Sequence, residues 1–233
     1  MNFKSLIPKS IKLQLKIIQR KKADKDKVFA TIQTSKNDYQ YKITTEQEIK
    51  KGLFYENKIH NITTAANKTE SIIIQPGELF SFWKIVGRPN KKNNYKQGRN
   101  IVKGKVSSEI GGGLCQLSSI IYITALKANL EIIERYNHSV DIYKEEDRFT
   151  PLGADATVVY GYKDLRIKNN YSFPIRFSFT FIDSNINCHI ESPEQITEKQ
   201  LNFVRDYKEN KVEVTTSLDS NIHCVSIYEI MAL

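Results

Sequence analysis

The spacing of apolar residues changes period several times along the chain. Phe29 to Thr34 alternates and predicts a short strand, with Gln40 to Thr44 as its partner. Between Asn57 and Lys68 the spacing turns helical, Ile59 and Ile62 sharing a side that Ala65 and Ala66 continue. Ile72-Ile73-Ile74 is β-branched and is stopped by the turn pair Pro76-Gly77. Leu79 to Trp83 reads as a buried strand and Arg88 to Arg99 as a polar loop. Ile101 to Val106 reads as a short strand broken or turned at Gly104. A helix is predicted from about Cys115 to Asn129, burying Leu117, Ile120, Ile121, Ala125 and Leu126. Leu130 to Tyr136 is the next strand, followed by a charged loop over 144–148 and a strongly alternating strand, Asp155 to Tyr160. Leu165 to Ile167, Ile175 to Ile182 and Ile186 to Ile190 continue an antiparallel meander around the Asn169-Asn170 turn. Glu194 to Lys211 is polar, and His223 to Ile230 is a last strand. Helices first and antiparallel strands after specify an α+β fold, with a cysteine-bearing helix packed on an antiparallel sheet.

Composition divides this picture into parts. A chain of 233 residues with 40% hydrophobic residues supports one large domain with appendages. The expected division is an arm at 1–27, a body at 28–192 and an extension at 193–233 packing on the body. Residues 1–27 hold nine of the 35 Lys and Arg and two of the 26 acidic residues, leaving 26 basic against 24 acidic groups elsewhere. The body is therefore nearly neutral, which speaks against a nucleic-acid partner. In the arm, Ile7, Ile11, Leu15 and Ile18 recur at helical spacing beside Lys12, Lys16 and Arg20. Such a basic amphipathic helix suits an anionic membrane surface, though Gln14 and Gln19 interrupt its apolar stripe. Lys12 and Lys16 also break the apolar core a secretory signal needs, and no apolar run is long enough to span a bilayer. Three irregularly spaced cysteines imply no disulfide framework. The expected location is cytoplasmic, peripheral at the inner membrane face.

The candidate chemistry centres on Gly111-Gly112-Gly113-Leu114-Cys115-Gln116. A thiol at a helix N-terminus feels unpaired N–H groups and the positive end of the helix dipole, which favour thiolate. Bare backbone at Gly111, Gly112 and Gly113 admits a substrate and lets amides face a developing oxyanion, with Gln116 as a further donor. A flexible helix lead-in before a small buried cysteine explains the same residues without chemistry. A nucleophile needs a base, and the base an orienter. His138 follows the strand after the cysteine helix, and Asp155 opens the next strand, with Asp164 as second choice for orienter. Cys, His, Asp is the chain order of papain-like and transglutaminase-like enzymes. His60, His189 and His223 suit packing or surface roles. The pairs Cys188-His189 and His223-Cys224 place neighbours on opposite faces of a strand, so no metal site is expected, and no cofactor is implied.

Four ordered stretches carry a resemblance: Pro76-Gly77-Glu78-Leu79-Phe80-Ser81-Phe82, Gly111 to Ser118, Glu134-Arg135-Tyr136-Asn137-His138-Ser139 and Asp155-Ala156-Thr157-Val158. Together with Asn169-Asn170 and Phe173-Pro174-Ile175, they make the span from about Asn57 to Glu191 resemble the VanW family. That family is named for an accessory protein of glycopeptide-resistance clusters, and some of its members in Gram-positive bacteria are L,D-transpeptidases. The resemblance implies a peptidoglycan stem peptide or precursor as partner, Cys115 as acyl-accepting thiol and His138 as base. L,D-transpeptidation takes place outside the membrane, which stands against the expected compartment. Two readings follow: a cysteine acyl-transfer enzyme, or a non-catalytic accessory module that binds cell-wall precursors or a membrane partner.

Overall fold

Ile175–Ile182 and Asn185–Ser192 pair over seven positions from Arg176↔Glu191 to Ile182↔Asn185, and this hairpin forms the middle of the largest sheet. A computed structural model describes residues 8–33, 38–102, 105–141, 148 and 150–230. In chain order the first elements are α1 (Lys9–Ala23), β1 (Thr31–Ile32), β2 (Tyr41–Glu48), α2 (Tyr55–Glu70), β3 (Ile72–Ile74) and β4 (Leu79–Ser81). A short helix α3 (Phe82–Val86), the hairpin β5 (Gln97–Val102) and β6 (Lys105–Ile110), and α4 (Leu114–Lys127) follow. Then come β7 (Glu131–Glu134), β8 (Val140–Asp141), β9 (Arg166–Lys168), β10 (Ile175–Ile182) and β11 (Asn185–Ser192). The chain closes with β12 (Leu201–Lys208), β13 (Lys211–Leu218) and β14 (Asn221–Ile230).

The fold is α+β with mainly antiparallel sheets. The main sheet runs β1-β3-β10-β11-β2, every pair antiparallel. Helix α4 lies against β2 and β11, α2 against β10, and the two helices touch each other. Twelve of the fourteen residues of α4 are buried, so this helix is covered on every side and forms the centre of the core. A three-stranded sheet, β4-β9-β7, closes over α4 from beyond the main sheet. The last three strands form a sheet of their own that joins β8 in parallel through Glu229↔Val140 and Ile230↔Asp141. Their small core of Leu152, Val212, Val214 and Tyr228 lies just behind the segment carrying Asp155.

Several expectations are corrected. Asp155 to Tyr160 is no ladder strand: its one bridge is Val159↔Lys163. The buried hydroxyls of Ser118 and Ser119 take over: Ser118 Oγ donates to Ala156 O at 2.6 Å and Ser119 Oγ accepts from Ala156 N at 2.9 Å. The meander is split between sheets, because β9 pairs with β4 and β7 and not with β10. Between them Asn169 Nδ2 donates to Ile74 O (2.9 Å) and Phe173 O (2.8 Å), fixing the crossing. Phe82 and Trp83 start α3, where Asp164 Oδ1 accepts from Trp83 N at 3.0 Å. The polar loop gives way to β5 at Gln97, and β12 and β13 occupy polar sequence whose outward residues hide the pattern: β12 only half-buries alternate positions. Ile7, Gly104 and the charged loop over 144–147 lie outside the described residues.

The N-terminal segment is docked on the body. Leu13 and Ile17 of α1 lie against Gly161, Arg20 holds both carboxylate oxygens of Glu134 at 2.7 Å, and buried Asp24 pairs with Arg166 at 2.6 and 3.0 Å. Ile11, Leu15 and Ile18 face solvent, each about half exposed (50%, 49% and 60%). No described helix is long and apolar enough to cross a membrane.

Candidate active site

Cys115 is the second residue of α4, and Gly113 precedes the helix at φ +101, a left-handed conformation that a side chain would strain. Gly112 answers a different need. A Cβ there would stand 2.6 Å from the backbone of Gly98 in β5, so the hairpin can approach the helix entrance only across a bare residue. Asn61 of α2, fully buried, fixes this turn: its Nδ2 donates to Gly112 O (3.0 Å) and Lys96 O (2.9 Å), and its Oδ1 accepts from Lys96 N (2.8 Å). The glycine run is thus a packed turn. Gly111 N is spent on Lys96 O at 3.0 Å, while no described hydrogen bond uses the amides of Gly112, Gly113 or Cys115.

His138 and Asp155 meet at the same place. His138 Nδ1 lies 2.6 Å from Asp155 Oδ2, and the His138 backbone N–H donates to that oxygen at 2.6 Å. This leaves Nε2 as the unengaged ring nitrogen, and Cys115 is close enough to act on the imidazole. The other oxygen, Oδ1, accepts from Arg135 Nη2 at 3.1 Å and from the Tyr228 hydroxyl. Burial opposes a charged imidazole, yet the hydrogen bonds to Asp155 and Cys115 outweigh it and His138 is pushed up to about 10. Burial also works to raise the Asp155 carboxyl, but His138, Arg135 and Tyr228 hold it down at about 2. Asp155 is therefore ionised, oriented and fully satisfied, and it fixes the imidazole through Nδ1. Cys115 itself is partly exposed, with Sγ 3.8 Å from Val158 O.

The thiol and imidazole share a cleft of about 1120 Å³ between α4, the β5–β6 hairpin, α1 and the 157–163 segment. Its described lining carries seven Lys and Arg, among them Lys58, Arg99 and Lys163, against Glu109 alone. Lys58 runs its aliphatic stem along Gly113. Burial, and then the charge of Arg99, lower its amine to about 8. The near-neutral body thus concentrates its positive charge around the thiol. Gln116 is buried on the same wall, but its Nε2 donates to Glu48 O at 2.8 Å, leaving Oε1 without a partner among the described residues. An acceptor, and not the expected donor, is what Gln116 leaves open.

Cys115, His138, Asp155, Gly111, Gly113 and Gln116 therefore come together, with Gly112 directly behind them. Asp164 does not join them: it accepts from Ser81 Oγ at 2.6 Å and from Arg166, and burial raises its carboxyl. Two other imidazoles are engaged elsewhere, His189 between Thr44 and Thr180 and His60 at Asn94 O, while His223 lies in β14 within reach of the Arg135 charge. Among the described residues no three His, Cys, Asp or Glu side chains gather as metal ligands would. Sequence reasoning missed Arg135, Tyr228, Asn61 and the Ser118-Ser119 pair. Arg135 and Ser118 stood inside the quoted stretches Glu134 to Ser139 and Gly111 to Ser118; the others gave no signal apart from their tertiary partners.

These features define a class: an α+β protein with a Cys–His–Asp array at the floor of a basic cleft. A family model described as VanW like protein matches residues 57–191, and the chain belongs to the VanW family. It is 31% identical over 189 residues to the Vancomycin B-type resistance protein VanW of Enterococcus faecalis (strain ATCC 700802 / V583), an alignment covering 76% of this chain and 69% of that protein. It is 37% identical over 120 residues to the uncharacterized protein YoaR of Bacillus subtilis (strain 168), covering 52% of this chain but only 38% of that one. No solved structure matches the chain significantly.

Proposed function

We propose that this chain is a cysteine acyl-transfer enzyme acting on peptidoglycan stem peptides or their precursors, in the setting of glycopeptide resistance. The observation that carries the reading is the 2.6 Å contact of His138 Nδ1 with ionised Asp155, in a cleft that Cys115 also lines. With His138 raised to about 10, the proton rests on the imidazole, and the Cys115 sulfur attacks a peptide carbonyl carbon as thiolate. The C–N bond then breaks, the leaving amine takes that proton, and a thioester remains on Cys115. An incoming amine or water releases the acyl group, giving a new amide or a free acid. The unspent amides of Gly113 and Cys115, both on the cleft lining, are the candidate oxyanion donors. The chain order Cys115, His138, Asp155 is that of papain-like and transglutaminase-like enzymes, an analogy of arrangement. The test is alkylation by iodoacetamide at pH 6, mapped over the three cysteines. Cys115 is expected to react faster than Cys224 and to slow in His138→Gln; equal rates overturn the reading.

The exposed Ile11, Leu15 and Ile18 beside Lys12 and Lys16 support attachment of α1 to an anionic membrane, with the cleft at its edge. Sedimentation with phosphatidylglycerol vesicles, lost in Leu15→Asn/Ile18→Asn, checks this. A non-catalytic accessory module is the second reading. It is favoured by the four donors on Asp155, which also suit a purely structural anchor.

A further inference from the structure

Two cations stand in the cleft wall without an ion-pair partner among the described residues. Lys58 and Arg99 come from α2 and β5 and are close enough for the charge of one to act on the other, and neither makes an ion pair among the described residues. The carboxylate that acts most on Lys58, Glu48, lies beyond ion-pair range. Lys58 is part-buried with the exposed Arg99 beside it, so its charge is held at a cost that a visiting anion would offset. A second, independent vacancy lies beside them. Gln116 is 3% exposed and its amide orientation is fixed by the bond from Nε2 to Glu48 O, so Oε1 is an acceptor with no donor. An unmet buried acceptor and an uncompensated cation pair, both in the wall that leads to Cys115, describe the complement of one ligand: a backbone N–H and a carboxylate on the same molecule.

We infer that the cleft is built for an anionic peptide, with Lys58 and Arg99 holding a substrate carboxylate while Gln116 Oε1 accepts a substrate N–H. The inference takes the peptide's identity from the acyl-transfer reading, but the anion site does not depend on the thiol. A pyrophosphate would meet the same two cations, so the test carries an arm for it.

Trp83 is the only tryptophan of the chain and lines the cleft, which makes its emission the reporter. The full chain carrying Cys115→Ala is titrated with N-acetylated L-Ala-γ-D-Glu-L-Lys-D-Ala, with the same peptide having both carboxylates amidated, and with inorganic pyrophosphate. The free-carboxylate peptide is expected to bind about tenfold more tightly than the amidated one, as for loss of one charge-assisted contact. Lys58→Met should abolish that preference and leave the amidated peptide unchanged, and Lys58→Arg should restore it. Equal affinity for the two peptides, or no change in emission with either, overturns the inference. Pyrophosphate binding more tightly than the free peptide also overturns it, in favour of a phosphate-bearing ligand. Because Cys115 is absent throughout, failure here leaves the thiol chemistry standing, and success does not establish it.

Discussion

Tyr228 donates its hydroxyl to Oδ1 of Asp155 from β14, a strand outside residues 57–191 matched by the family model. The Tyr228 hydroxyl oxygen also accepts from Gly153 N at 3.0 Å, so one phenol links the last strand to both ends of the Gly153–Asp155 step. Tyr228→Phe is expected to cost about 2 kcal/mol in urea unfolding, because two buried groups lose a partner. It should also slow alkylation of Cys115. Unchanged stability would mean that Arg135 alone holds the carboxylate.

Asp155→Asn should be more severe. Arg135 is nearly buried and its charge would be left uncompensated, at a cost of about 3–5 kcal/mol. NMR titration of the imidazole should show His138 falling from about 10 toward its ordinary 6.5, since Cys115 alone then opposes burial.

The two shifted groups set a pH profile for stability. His138 is raised from 6.5 to about 10, so its contribution is full below 6.5 and is lost as pH rises toward 10. Asp155 is lowered from 3.8 to about 2, so its contribution is full above 3.8 and is lost as pH falls toward 2. Tm is expected to be highest between these limits. His138→Gln should flatten the alkaline limb and weaken the acid one, because His138 helps hold Asp155 down; an unaltered alkaline limb contradicts the assignment.

Gly112 and Gly52 form a matched pair. Gly112→Ala pushes a methyl into the Gly98 backbone and should cost about 3 kcal/mol, with loss of Cys115 reactivity as the helix entrance shifts. Gly52 has nothing within 4 Å of its Cβ position, so Gly52→Ala should be neutral or stabilise by about 0.5 kcal/mol. Chemical denaturation of both variants checks the contrast.

Lys58 makes an opposite trade. Its amine is lowered to about 8 chiefly by burial, so the charged form costs stability below that pH and the cost disappears above 10.5. Lys58→Met should raise stability at pH 7 by about 1 kcal/mol after allowance for solvent screening, or about 2–4 °C in Tm. The gain should vanish above pH 10.5.

Much of the site was legible because its order in the chain follows its chemistry: a thiol opening a helix, an imidazole one strand on, a carboxylate beyond it. The segment around Asp155 misled because alternating apolar residues signal burial on one side, whatever supplies the hydrogen bonds. Here Ser118 and Ser119 supply them from a helix, a substitution that no spacing rule contains. Charge misled in a similar way. Lys58, Arg99 and Lys163 are far apart in sequence and sum to little against the body's acids, and only folding brings them to one cleft. In α1 the helical stripe at Ile11, Leu15 and Ile18 was read correctly as a periodicity, but Leu13 and Ile17 are the residues that meet the body.

The most direct measurement is intact-mass analysis of the chain after mixing with the acetylated stem tetrapeptide and rapid acid quench. The expected result is a thioester on Cys115 carrying the acyl part of the peptide, sensitive to hydroxylamine, reduced in His138→Gln and absent in Cys115→Ala. A protein whose Trp83 emission reports bound peptide, but which never carries that adduct, would contradict the acyl-transfer account and leave a binding module in its place.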